Sequence, residues 1–296
     1  MKPKYDIIRA PMNKIIKKRQ LSANVYRIEV EAPLIARERK AGQFIILMVD
    51  GDYGERIPLT IADADPAAGT ITLIYQTVGA TTMKLAQLNE GDSIAALLGP
   101  LGRPTSIRGT NGEKPGRVVC VGGGIGVAPM HPIAQALKAA GNDVTIIMGA
   151  RNKDLFVMED EMRAIAGDKL ILMTDDGSSG RNGLVTEPLK ELCERDEVDE
   201  VIAIGPPIMM KFCALTTKPF NVHTTVSLNT IMIDGTGMCG GCRITVGGET
   251  KFVCVDGPEF DAHKVDWDQM TKRMAAFKPQ EAAAHEHVCK AGIFTK

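Results

Sequence analysis

The stretch Val118-Val119-Cys120-Val121-Gly122-Gly123-Gly124-Ile125-Gly126-Val127-Ala128-Pro129 decides how the middle of this chain folds. Four apolar, β-favouring residues run into a glycine-rich turn. A helical pattern follows to about Ala140, with Gly141 as its C-terminal stop. Strand, glycine loop and helix in this order suit a dinucleotide. The glycines let the backbone approach a pyrophosphate, and Pro129 stands near the first helical turn, where no N–H is needed. Gly122, Gly123, Gly124, Gly126 and Pro129 are therefore candidate NAD contacts.

On the C-terminal side, apolar runs at residues 144–148, 170–174, 201–204 and 222–228 alternate with helical stretches. With residues 118–121 they predict a five-stranded parallel α/β sheet covered on both faces. Open sheets of this kind bind ligands at the carboxyl ends of their strands, which here carry Gly149-Ala150-Arg151, Asp175-Asp176-Gly177 and Gly205-Pro206-Pro207. Arg151, Asp175, Asp176, Gly205 and Pro206 join the candidate set. Arg151 suits a 2′-phosphate or solvent equally, and the acidic pair suits a plain strand-end turn equally, so NAD against NADP stays open.

On the N-terminal side, short runs at residues 14–21, 25–32, 43–49, 57–62, 70–77 and 93–98 predict six strands of an antiparallel β-barrel or sandwich. A single short helix over residues 81–88 interrupts them. Two segments carry chemistry: Arg56-Ile57-Pro58-Leu59-Thr60 on a strand, and Gly79-Ala80-Thr81-Thr82 at a helix start, where free N–H groups suit a phosphate.

Beyond the sheet comes Asp234-Gly235-Thr236-Gly237-Met238-Cys239-Gly240-Gly241-Cys242, then a predicted hairpin over residues 243–255 that carries Cys254. Cys239, Cys242 and Cys254 have the spacing of the last three ligands of a plant-type [2Fe-2S] loop, and Asp234 stands where the first cysteine would be. A zinc knuckle using these cysteines with His263 or Asp234 is the alternative. A helix is predicted from near Trp267 to about Ala276. The tail, with His285, His287 and Cys289, reads as a solvated helical end.

The 296 residues carry 35 basic and 36 acidic side chains, so no basic footprint points to nucleic acid. No apolar run is long enough to span a membrane, and residues 1–10 lack the apolar stretch of a signal peptide, so a cytoplasmic protein is expected. Seven cysteines, an odd number, favour reduced thiols and metal ligands over a disulfide framework. Cys120, Cys193 and Cys213 read as small buried hydrophobes.

The strand motif and the helix start at Gly79 resemble the flavin-binding barrel of the ferredoxin reductase superfamily, although arginine stands one residue earlier than is common there. The order of barrel, nicotinamide domain and C-terminal [2Fe-2S] module resembles one of its subfamilies. This includes the electron-transfer subunit of dihydroorotate dehydrogenase, the smaller subunit of sulfide dehydrogenase and the small FAD subunit of NADH-dependent reduced ferredoxin:NADP+ oxidoreductase. Aspartate as first ligand resembles the latter two.

The resemblance implies FAD along Arg56, Pro58, Leu59 and Thr60, its adenine side near Ile74, Tyr75 and Gln76, and its pyrophosphate at Gly79, Thr81 and Thr82. It implies NAD(H) at the glycine loop and a cluster on Asp234, Cys239, Cys242 and Cys254. It further implies a heterodimer with a larger FAD/[4Fe-4S] oxidoreductase subunit, through which ferredoxin is reached. The expected division is residues 1–108 for the flavin barrel, 109–229 for the nicotinamide domain, 230–265 for the cluster module and 266–296 for a helix and tail. The rival of another class is a non-catalytic dinucleotide-binding module with structural zinc.

Overall fold

A computed structural model describes residues 13–51, 54–110 and 112–290, apart from the side chains of His285 and residues 287–290. The first unit is an antiparallel six-stranded sheet of β1 (Ile15–Ser22), β2 (Val25–Glu31), β3 (Phe44–Met48), β4 (Arg56–Asp65), β5 (Thr70–Gln76) and β6 (Ala96–Leu101), ordered β1-β2-β5-β4-β3-β6. Its two edges meet where Lys14 bridges Ser93 and the Ile15 amide donates to the Asp92 carbonyl at 2.9 Å. Two short helices, not one, belong to this unit: α1 (Pro33–Glu38), entered through a proline in its first turn, and α2 (Ala80–Gln87).

Strand β4 serves two neighbours. Its first half pairs with β3, placing Phe44 opposite Thr60, and its second half pairs with β5 from Ile61 opposite Leu73 onward. The register slips between Ile61 and Asp63, so Ala62 sits at a bulge.

The second unit is a seven-stranded sheet, two strands more than the periodicity predicts. It contains β7 (Arg117–Gly123), β8 (Asp143–Ala150), β9 (Leu170–Thr174), β10 (Arg181–Asn182), β11 (Glu200–Ile204), β12 (His223–Ser227) and, from the C-terminal module, β15 (Glu259–Asp261). The order is β10-β9-β8-β7-β11-β12-β15; all neighbours are parallel except β15, which runs antiparallel to β12. Strands β10 and β15 are two and three residues long, too short to carry a hydrophobic period.

Four helices cover this sheet: α3 (Val127–Ala139), α4 (Glu159–Ala166), α5 (Thr186–Glu194) and α6 (Pro207–Thr217). Successive β7 residues point to opposite faces. Val118 and Cys120 join the core with Met130 and Ile133 of α3 and Met162 of α4, whereas Val119 and Val121 join Leu189 of α5 and Met210 and Cys213 of α6. Cys120, Cys193 and Cys213 are buried, and desolvation pushes their thiols up to about 12, 11 and 12.

The C-terminal module holds the hairpin β13 (Arg243–Val246) and β14 (Glu249–Phe252), then α7 (Val253–Asp256), β15 and α8 (Trp267–Met274). The predicted strand through Cys254 is corrected here. The Asp256 carboxylate accepts the Phe252 amide at 2.7 Å and closes a helical turn, so Cys254 lies on α7 and not on the hairpin. Helix α9 (Lys278–Lys290) follows and packs against α2. The side chains of His285, His287 and Cys289 lie outside the described residues. Among the described residues no helix is long and apolar enough to cross a membrane.

Candidate functional site

A cavity of about 680 Å³ lies between the barrel and the seven-stranded sheet. From the barrel side it is lined by Pro58, Leu59 and Thr60 of β4, by Ile74, Tyr75 and Gln76 of β5, and by Gly79, Thr81 and Thr82 at the start of α2. Gly123, Gly124, Gly126 and Pro129 face them, with Gly205 and Pro206 beside these. Arg56 is exposed at the start of β4, and its side chain is not part of this wall.

The start of α2 is built to receive an anion. Thr82 Oγ1 accepts the Val78 and Gly79 amides at 3.2 and 3.1 Å and donates to the Gly79 carbonyl at 2.9 Å. That arrangement holds the first turn open, with the amides of Ala80 to Thr82 ahead of the first intrahelical bond. The Thr81 hydroxyl is held by the Glu55 carboxylate, which also lines the cavity. A Cβ added at Gly79 or Gly124 would meet nothing within 4 Å, so both glycines keep room at the cavity for a ligand.

A second cleft, of about 350 Å³, opens from the first. Gln76, Gly123, Gly124, Ile125 and Pro206 line both. Its further walls are Gly149, Arg151, Leu155, Asp175, Leu184 and Met209, at the carboxyl ends of β8, β9 and β11 and the start of α6. Gly124 has φ +54 in the tight turn. A Cβ at Gly126 would stand 2.3 Å from the Ile204 carbonyl oxygen, so only glycine lets the turn lie this close to β11. Gly122 packs instead on Val127 and Met130. Asp176 accepts the Ser178 amide at 2.9 Å in the strand-end turn and lines neither cavity, and that bond network lowers its carboxyl below the usual range.

The cysteine loop leaves the first cavity at Met232, which lines it. Cys242 and Cys254 are buried with their sulfurs 3.3 Å apart, and burial raises the Cys254 thiol. Cys239 is exposed. Amides are turned toward sulfur: Gly241 N to Cys239 Sγ and Cys254 N to Cys242 Sγ, each 3.4 Å. Asp234 stands at the head of the loop. Its Oδ1 accepts the Thr236 amide at 2.8 Å and its Oδ2 the Cys239 amide at 2.7 Å, and these bonds hold its carboxyl below the usual range.

Among the described residues the four donors are not gathered into one coordination sphere. Their chemistry nonetheless fits a cluster: a carboxylate and two thiols on one glycine-rich loop, the second thiol paired with Cys254 of α7, with amides directed at sulfur. His263 is engaged elsewhere, its Nε2 lying 3.0 Å from the Thr217 hydroxyl.

Several contributors escaped the sequence reading. Arg273 of α8 donates to the Gly241 carbonyl at 3.0 Å. Ser227, Leu228, Asn229 and Pro258 line the first cavity, as do Glu281 and Ala284 of α9. Gly235 differs from these, since its positive φ is legible from the loop sequence: with φ +75 it seats the loop on the barrel, where an added Cβ would stand 2.7 Å from Ile46 and Leu101.

Two joined clefts between a barrel and a parallel α/β sheet, with a cysteine loop adjoining them, fit what the resemblance to the ferredoxin reductase superfamily implies, a flavin-dependent oxidoreductase. The family model for the iron-sulfur cluster binding domain of dihydroorotate dehydrogenase B matches residues 229–266, and that for the oxidoreductase NAD-binding domain matches residues 120–214. A dihydroorotate dehydrogenase B (NAD(+)) electron transfer subunit homolog of Thermotoga maritima is 45% identical over 279 residues, covering 94% of this chain and 96% of that protein. The electron transfer subunit of Geobacillus kaustophilus is 33% identical, with 85% and 96% covered.

A chain in the solved structure of the NADH-dependent reduced ferredoxin-NADP oxidoreductase, a study of flavin-based electron bifurcation, superposes with a TM-score of 0.87 at 44% identity, covering 94% of this chain and 98% of that one. A ferredoxin NADP+ reductase from Neisseria gonorrhoeae, at 18% identity and a TM-score of 0.56, shares the fold. The chain belongs to the family of dihydroorotate dehydrogenase B-type electron transfer subunits. It is an oxidoreductase subunit whose cofactors are FAD, NAD(H) and a [2Fe-2S] cluster.

Proposed function

We propose that this chain is the small flavin subunit of an electron-bifurcating NADH-dependent reduced ferredoxin:NADP+ oxidoreductase, in heterodimer with a larger subunit that carries its own FAD and [4Fe-4S] clusters and meets ferredoxin. Bound FAD would convert between the two electrons of a hydride and the single electrons a [2Fe-2S] cluster takes. The observation that carries the reading is the wall common to both clefts: Gly123, Gly124 and Ile125 face the flavin cavity and the nicotinamide cleft at once. Placement in the bifurcating branch draws support from Asp234 at the first-ligand position and from the 44% identity over nearly the whole chain.

The chain's own residues position and exclude. Leu59 and Thr60 would hold the flavin ring from β4, and the amides at the start of α2 would bind its pyrophosphate. The turn at Gly124 and the loops bearing Arg151 and Asp175 orient the dinucleotide, and Asp234 completes a ligand set with Cys239, Cys242 and Cys254. The units expected at residues 1–108, 109–229, 230–265 and 266–296 then correspond to flavin, nicotinamide, cluster and covering helix.

A second reading, delivery of electrons to a dihydroorotate dehydrogenase, is favoured by the family model over residues 229–266. Anaerobic co-purification followed by turnover separates the two. Bifurcation requires a partner with [4Fe-4S] clusters and NADPH-driven ferredoxin reduction that depends on NAD+. Ferredoxin reduction from NADPH by the isolated, reconstituted chain refutes the first reading, and orotate reduction by the co-purified complex supports the second.

A further inference from the structure

Helix α3 leaves the glycine turn at Val127 and lies against β4, the strand that carries Pro58, Leu59 and Thr60. At their contact His131 is buried, 5% exposed, with Nδ1 3.3 Å from the carbonyl oxygen of Ala62. That carbonyl has a particular origin. Ala62 is 1% exposed and occupies the register slip at which β4 leaves β3 and joins β5. A bulge leaves its extra residue outside the ladder, and a buried carbonyl without a donor is costly. The chain supplies a donor from the other domain.

We infer that His131, donating from its Nδ1–H, is a positioning residue that fixes the dinucleotide-binding helix on the flavin-binding strand and so sets the nicotinamide against the flavin. Ala62 lies two residues beyond Thr60, and His131 two residues beyond Pro129; both of those line the first cavity. The bond therefore joins the two walls of that cavity close to where they face each other. Around it Ala62 shares a buried apolar cluster with Val127, Ala128 and Ala134 of α3. Apolar packing is non-directional and tolerates sliding, whereas a hydrogen bond to one carbonyl selects one register. Hydride transfer depends steeply on such placement, since an error of about 1 Å can cost about 100-fold in rate. This inference rests on the reading of the two clefts given above.

The test uses the full chain with FAD and cluster, in complex with its partner, and four proteins: wild type, His131→Leu, His131→Asn and His131→Gln. Asparagine places an N–H close to that of Nδ1, glutamine places one close to Nε2, and leucine offers none. Stopped-flow reduction of the flavin by NADH gives a limiting rate and an apparent Kd. The expected result is a limiting rate at least ~10-fold lower in the leucine and glutamine variants. The asparagine variant should stay within about 3-fold of wild type, and the NADH Kd should change less than the rate.

Imidazole 15N spectra of the wild type, with the asparagine variant supplying the assignment, give a readout independent of turnover: a proton on Nδ1. An asparagine variant as slow as the leucine or glutamine variant, a leucine variant as fast as wild type, or a Nε2–H tautomer overturns the inference. Should leucine fail to fold, the asparagine–glutamine comparison and the tautomer decide it. A wild type whose flavin is not bleached by NADH at all instead refutes the reading of the clefts.

Discussion

Replacing Glu259 with glutamine should make the protein more stable above neutral pH and slightly less stable in acid. Glu259 opens β15, the strand that the C-terminal module adds to the central sheet, and its Oε1 accepts the hydroxyl of Thr105, beyond the barrel, at 2.7 Å. The carboxylate faces Gly42, where an added Cβ would stand 2.9 Å from it. Burial, reinforced by the negative charge of Glu200, holds this carboxyl at about 7 against 4.5 for a free side chain, although the Thr105 bond pulls the other way. Around it, Glu200 is itself engaged by Arg108 at 3.8 Å and His223 at 3.7 Å, and Asp261 by Lys264 at 3.0 Å.

The sign follows from linkage. Below about pH 4.5 both folded and unfolded forms carry the proton, and the group has no effect on the balance. Between there and pH 7 only the unfolded chain releases it, so stability falls as pH rises, and above about 7 the loss is complete. At roughly 1.4 kcal/mol per pH unit the full loss is about 3 kcal/mol. Glutamine keeps the acceptor for Thr105 and never ionises, but its amide N–H groups lack an assigned partner, which returns about 1 kcal/mol. The net gain at pH 8.5 is then about 2 kcal/mol, or ~4 °C in Tm at roughly 2 °C per kcal/mol for a chain of this size. Thermal unfolding of the cofactor-bound wild type and variant at pH 5, 6, 7 and 8.5 measures it. A Tm difference that does not grow between pH 5 and pH 8.5 refutes the reasoning.

Asp234→Cys should retain a [2Fe-2S] spectrum but lower the cluster potential in a redox titration followed by EPR, because a softer thiolate replaces the carboxylate; an unchanged potential argues against Asp234 as ligand. Gly126→Ala would force α3 away from the Ile204 carbonyl, costing roughly 1–3 kcal/mol in overpacking, and should raise the NADH Kd; an unchanged Kd by flavin-quench titration counts against it. Gly235→Ala combines a left-handed φ with contact against Ile46 and Leu101, so iron content per chain should fall and unfolding should come about 1–3 kcal/mol earlier; full iron loading in the variant excludes this.

The barrel strands and the central strands were legible because their burial has a period. Val118 to Val121 alternate between two cores, and the glycine turn that follows needs conformations only glycine adopts freely. Elements fixed by distant partners were not legible. Strand β15 exists because β12 offers an edge, and Val253-Cys254 reads as strand until the Asp256 carboxylate captures the Phe252 amide. Among site residues, those on strand ends and helix starts fall on the cavity walls, whereas Arg56, Gly122 and Asp176 do not. A motif specifies the backbone path but not which way a neighbouring side chain turns. His131 had no sequence signal at all: its partner is a bulge carbonyl on another domain, visible only once β4 is seen to change neighbours.

The two transfers this chain supports differ in what must be held still. Phe44 of β3 pairs with Thr60 on the flavin strand, lines the first cavity, and shares one buried core with Ile46, Cys242, Val253 and Cys254. Gly235 seats the cysteine loop on the same strand through Ile46. The wall of the first cavity and the thiols of Cys242 and Cys254 are thus anchored on β3, inside close-packed surroundings that resist displacement. The nicotinamide wall is different, because it belongs to the other sheet and reaches the flavin strand through the face between α3 and β4. Mobility there would disturb hydride transfer before it disturbed transfer to the cluster, and a directional bond such as that from His131 to Ala62 is most useful at that face. A variant that loosens it should therefore slow flavin reduction by NADH while the exchange of electrons between reduced flavin and cluster keeps its wild-type rate.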